Sequence, residues 1–257
     1  MSVEIERHGD IAVMTFANGD LNLYTLELHA QFDEALDRLD AAPPRALIVR
    51  ASGKLVTGGV DVAQFYARKT KADTLDLYDH MLTLTHRFAA LEYPTIFAAH
   101  GLTLTWGIEI ALACDVLMAT PRAKFGLVER VIGLTPTMGG TQRFAERAGT
   151  ARAKEFVFSG DLYDAATLER WNVVNRVLED EDFDAAVLRF ADHLATGPTK
   201  AFGAAKEILR HFAAGGVAQA DAHTTAIAAE LFDTEDLQSG MVSFLENGPG
   251  KATFNGR

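Results

Sequence analysis

Cysteine is almost missing: Cys114 is the only one in 257 residues. That excludes an internal disulfide and suits a reducing compartment. Cations are also short. Lys and Arg total 24 against 35 Asp and Glu, giving a formal net charge of −11. Such a balance argues against nucleic acid or an anionic membrane as the main partner. A small anionic ligand would need local Lys or Arg to offset that field. No apolar run reaches the roughly 18 residues of a membrane span. The opening MSVEIERHGDIAV has no basic-then-apolar secretory pattern, and no repeat or low-complexity segment is found. The expectation from these absences is a soluble, cytoplasmic protein.

What remains is ordinary globular composition, 48% hydrophobic and 23% charged, enough for a sizeable core. Residues 3–8 and 11–17 flank His8-Gly9-Asp10 and read as a hairpin. Leu26, Leu28, Phe32, Leu36 and Leu39 recur at helical spacing, with Thr25 placed to cap. Pro43-Pro44 breaks the chain before ALIVR (46–50), a strand apolar on both faces. A loop of small residues, 52–61, leads to a short helical segment with Phe65, and a longer helix spans about 73–91. Pro94 then opens the strand TIFAA. This alternation predicts an α/β fold. Beyond Gly140 helices predominate, at 150–158, 164–170, 183–195, 199–212, 217–232 and 234–245, with a short strand near Val173–Leu178. The boundaries predict an α/β core over 1–195 and a helical C-terminal region over 196–257.

The stretch from Pro94 to Gly140 carries two isolated acids in apolar surroundings. Glu109 lies in GIEIALA (107–113) and Glu129 in FGLVER (125–130). Burying a carboxylate is unfavourable unless something pairs with it or uses it. Taken singly, Glu109 also fits a narrow polar stripe on its helix, and Glu129 a surface pairing with Arg130. Two glycine-bearing turns alter that balance. Thr57-Gly58-Gly59-Val60 opens one helix, and His100-Gly101 with Trp106-Gly107 opens the next. Helix starts carry unpaired N–H groups. One N–H from each turn, converging on one point, would hold a developing oxyanion beside two proton-transferring acids. Each turn taken alone reads better as plain turn chemistry.

These segments resemble the crotonase superfamily, the enoyl-CoA hydratases and isomerases, along essentially the whole chain. SGKLVTGGVDVAQF (52–65), AAHGLTLTWGIEIALACDVLMA (98–119) and FGLVERVIGLTPTMGGTQRF (125–144) match its three motifs in order. The resemblance implies a crotonase-like ββα superhelix core, with a C-terminal helical region making a trimer or dimer of trimers. It implies an acyl-CoA thioester as substrate, coenzyme A being part of that substrate, with no further cofactor and no metal. The Val60 and Trp106 N–H groups would form the oxyanion hole, and Glu109 and Glu129 would share the acid–base work. Lys54 and Lys251 match positions that approach CoA, the latter sometimes from a neighbouring subunit. Retention of both acids favours water addition to a 2-trans-enoyl-CoA. The alternatives are an enoyl-CoA isomerase, another acyl-CoA reaction on the same scaffold, or an acyl-CoA-binding protein of low turnover.

Departures from the pattern cluster at the site. Thr105 and Trp106 stand where the family usually has glycines, so the indole is expected to add bulk near the acyl pocket. A positive φ at Trp106 would be expensive. Val60, Val128 and Val56 replace a common Ala or Gly, Pro and Phe. Arg143, His100, Cys114 and Asp61 are read as structural: a turn cation, a core hydrogen-bonder, a small buried residue and a helix cap.

Overall fold

The computed structural model describes residues 1–66 and 68–257. Strands β1 (Ser2–His8) and β2 (Ile11–Ala17) pair antiparallel across the Gly9-Asp10 turn, with Ser2 opposite Ala17. Helix α1 (Leu26–Ala41) starts where expected, the Thr25 hydroxyl accepting from Leu28 N–H at 3.1 Å. Next come β3 (Ala46–Ala51), the short α2 (Ala63–Tyr66), α3 (Ala72–Ala90) and β4 (Thr95–Ala99). β5 (Leu102–Leu104), α4 (Trp106–Ala113), β6 (Val116–Ala119) and β7 (Lys124–Gly126) follow. A 3-10 turn covers Glu129–Ile132 and leads to α5 (Gly140–Ser159). The remainder is β8 (Tyr163–Asp164), α6 (Ala165–Arg170), β9 (Arg176–Val177), α7 (Phe183–Ala195), α8 (Thr199–Glu230) and α9 (Glu235–Asn247).

Six strands form one sheet in the order β1-β2-β3-β4-β6-β9, parallel from β2 onward. Alternation along each strand serves two cores. Met14, Phe16, Val49, Phe97 and Leu117 pack toward residues of α1, α3 and α4. Val13, Ile48, Ile96 and Met118 pack toward Phe183, Val187 and Ala191 of α7. Sheet β5-β7-β8 is a separate, three-stranded one.

One helical stretch, 140–148, lies outside the expected set. Helix α5 begins at Gly140 rather than near 150, and its one interruption is Gly149, at φ 80° and ψ 159°. α8 bends at Gly215 and Gly216, between the two helices expected there. The C-terminal helices lie against the α/β core through polar ties. Arg45 donates to Thr199 Oγ1, Phe254 O and Gly197 O at 3.2, 2.7 and 2.6 Å. Lys206 of α8 donates to Asp115 Oδ2 at 2.7 Å and Tyr93 O at 3.0 Å.

Candidate active site

Val60, Thr105, Glu109 and Glu129 line one cavity of about 210 Å³, walled otherwise mostly by apolar groups including Val62, Phe65, Met81, Val128 and Ile132, with Thr137 as a further polar residue. The turns meet here because their backbones can approach closely. A Cβ on Gly107 would fall 2.4 Å from Thr57 Cγ2, and one on Gly59 (φ +114°) 3.2 Å from Thr105 Oγ1. A parallel bridge between Thr57 and Thr103 joins the two turns. A larger groove of about 650 Å³, beside α9 and lined by Met241, Phe244 and Phe254, contains neither acid.

All eight residues of α4 are buried, so Glu109 is 2% exposed at the heart of the core. Its Oε1 accepts from Met138 N–H and Gly140 N–H, both at 2.9 Å. Burial pushes the Glu109 carboxyl up to about 8. The Glu129 charge adds to that push, while the two N–H bonds and Arg143 oppose it. Burial likewise raises Glu129 to about 7, and its Oε2 is buried with no partner among the described residues. One acid is therefore pinned and the other keeps an oxygen for a proton or a water.

Trp106 heads α4, where the first N–H groups have no intrahelical acceptor. Neither its N–H nor that of Val60 has a partner among the described residues. Two acids and two open main-chain N–H groups are the parts that proton transfer beside a carbonyl calls for.

The expected crowding by Trp106 does not occur. Its indole is fully buried, packed on Phe16, Tyr24 and Phe32 at ring-centroid distances of 5.1, 5.9 and 5.9 Å. Side-chain direction at the helix start turns the ring into the core, away from the cavity. The positive φ also falls one residue earlier, on Thr105 at φ 47° and ψ −117°.

Lys54 is exposed on the loop leading to Val60. Lys251 is exposed in the C-terminal segment, between Gly250 and Ala252 of the α9 groove, and this chain does not bring it to the cavity. His100 Nε2 bonds Gly53 O at 3.1 Å, Asp61 Oδ1 accepts from Ala63 N–H at 3.0 Å, and Cys114 is buried. Arg143 Nη1 reaches Gly139 O at 3.4 Å. Met138 and Gly140, which hold Glu109, were not singled out as functional; backbone donors leave no side-chain signature, although Gly140 belongs to the GGTQR motif.

Two acids thus line one cavity of a mostly parallel α/β scaffold, a setting chemically suited to acid–base work. The family model for enoyl-CoA hydratase/isomerase matches residues 6–257, and the chain belongs to that family. A probable enoyl-CoA hydratase of Mycobacterium tuberculosis is 30% identical over 249 residues, 95% of each chain. The short-chain-enoyl-CoA hydratase of Clostridium acetobutylicum is 26% identical over 249 residues, again 95% of each. Enoyl-CoA hydratase subunit I of Geobacillus kaustophilus superposes with a TM-score of 0.92 at 27% identity, covering 100% of this chain and 99% of that one. The crotonase-like α/β core with its helical C-terminal region is the fold the motifs implied.

Proposed function

We propose that this protein adds water across the double bond of a 2-trans-enoyl-CoA to give the 3-hydroxyacyl-CoA. The observation that carries the reading is the pair Glu109 and Glu129, both with raised pKa, in one small apolar-walled cavity. One ionised carboxylate takes a proton from water as the water oxygen bonds the β-carbon. The π electrons move onto the thioester oxygen, held by Val60 N–H and Trp106 N–H. The other acid, protonated, delivers its proton to the α-carbon, and the carbonyl re-forms. Net, one water is consumed and no redox partner is needed.

CoA would be held as part of the substrate, with Lys54 from this chain and Lys251 from a neighbouring subunit near its phosphates. Exposed Leu209, Phe212, Phe244 and Leu245 on α8 and α9 support burial against another copy of the chain, and a trimer or dimer of trimers is the assembly proposed. No described helix is long and apolar enough to cross a membrane, and a cytoplasmic location is part of the proposal. The low-turnover binding alternative rested on Thr105 and Trp106 crowding the site; the buried indole speaks against the Trp106 half of it, while Thr105 lines the cavity.

The test is hydration of crotonyl-CoA followed by loss of enoyl-thioester absorbance. Glu109→Gln and Glu129→Gln should each lower kcat by about 10²–10⁴. Double-bond migration in a 3-enoyl-CoA that survives loss of one acid would make the protein an isomerase instead. Turnover unaffected by either substitution would refute the two-acid mechanism.

A further inference from the structure

We propose that the Trp106 indole is a positioning group that aims the Val60 N–H into the cavity by clamping the Gly59 carbonyl. The inference rests on reading Val60 and Trp106 as main-chain donors to the thioester oxygen. A trans peptide is one rigid plate, so the Gly59 C=O and the Val60 N–H are fixed to each other and point opposite ways. Gly59 O accepts from Tyr24 N–H at 2.9 Å and from Trp106 Nε1 at 3.0 Å. The indole N–H is shared with Thr57 Oγ1 at 2.8 Å.

These two N–H donors set the tilt of the plate; the Thr57 hydroxyl reaches the same carbonyl only at 3.3 Å and sits closer to Asn22 O, at 2.7 Å. On its other side, Asp61 N–H donates to Tyr24 O at 3.1 Å, so Val60 is bracketed. The clamp matters because Gly59, at φ +114°, has little conformational preference of its own to resist rotation. Donors on the carbonyl also polarise the peptide and make the Val60 N–H a stronger donor. Trp106 therefore serves both halves of the site: its main chain offers one N–H, and its side chain orients the other. A glycine at 106 would provide the first and not the second.

The alternative is that the ring only fills core space between Phe16, Tyr24 and Phe32. Trp106→Phe keeps an aromatic ring there and removes the N–H. The isosteric benzothienyl analogue of tryptophan, placed at 106 alone, removes only the N–H and serves if the Phe variant does not fold. The probe is butyryl-CoA labelled with ¹³C at its thioester carbonyl, which is saturated and cannot be hydrated. Its bound C=O stretch reports hydrogen bonding to the oxygen directly.

Wild type should lower that stretch on binding, and the N–H-less variants should recover part of the solution frequency. Their kcat on crotonyl-CoA should fall about 10- to 100-fold, part of the 10²–10³ that loss of a whole donor brings, while KM changes little. Variants with wild-type kcat and wild-type carbonyl frequency, whatever their Tm, overturn the clamp. A wild-type complex whose carbonyl stays at its solution frequency overturns the donor reading beneath it, and so separates that failure from the first.

Discussion

Gly140 N–H donates to Glu109 Oε1 at 2.9 Å, and a Cβ on Gly140 would lie 2.7 Å from Glu109 Cγ. The helix start that orients the acid thus also forbids any side chain there. Gly140→Ala should push Glu109 off its bonds to Gly140 and Met138. A displacement near 1 Å can cost about 10²-fold in rate, so kcat for crotonyl-CoA hydration should fall by that order while the circular dichroism of the fold persists. Full activity in the Ala variant would mean that Glu109 does not need this seat.

Lys206 links α8 to the core at one point. Its ammonium donates to Asp115 Oδ2 at 2.7 Å, and the same oxygen accepts from Thr95 N–H at 2.7 Å and Thr95 Oγ1 at 2.9 Å. The Lys206 side chain is only 14% exposed. Lys206→Met should therefore lower unfolding stability by about 1.5–3 kcal/mol, the usual range for hydrogen bonds to a charged group. Denaturant titration at fixed protein concentration checks it. An unchanged midpoint would make the contact no stronger than an exposed ion pair.

The elements legible in the sequence were those with a full period or a strong boundary. The hairpin around Gly9, the Thr25-capped α1, the doubly buried β3 and the amphipathic α3 all declared themselves. β5 and β7 have three residues each and β8 two, too few to present an alternation. The start of α5 was hidden because GGTQR reads as a turn until its helix is seen. Glu109 and Glu129 stood out as acids in apolar runs. The fate of the Trp106 ring did not, since a residue at a helix start faces whichever neighbour the tertiary packing supplies.

Thr105 holds a conformation that suits glycine. At φ 47° and ψ −117° a β-branched residue is strained by about 1–3 kcal/mol, and its Oγ1 is buried without a partner among the described residues. Thr105→Gly removes that strain but adds roughly 0.5–1 kcal/mol of backbone entropy to be lost on folding. The difference favours the variant by about 0–2.5 kcal/mol, a rise of up to several degrees in Tm by differential scanning. A fall in Tm would show that the threonine methyl contributes more packing than its backbone takes away.

The raised carboxyls make the site answer to pH with a definite sign. The working form holds one proton on the pair, so kcat/KM should be bell-shaped and highest between about 7 and about 8. Below that window both acids are protonated and the base is lost; above it both are ionised and the acid is lost. Stability runs in one direction only. An unfolded carboxyl titrates near 4.5, so between there and about 8 the folded chain holds protons the unfolded chain has released. The contribution of these groups is complete below the unfolded pKa and is lost as pH rises through the folded values. Glu109→Gln should flatten that alkaline decline, seen as a smaller drop in denaturant midpoint between pH 5 and pH 9 than in wild type. In Glu129→Gln the neighbouring charge disappears, so the residual activity should titrate at lower pH. Identical pH dependence of stability in wild type and Glu109→Gln would mean that Glu109 is not the buried, proton-holding acid its surroundings require.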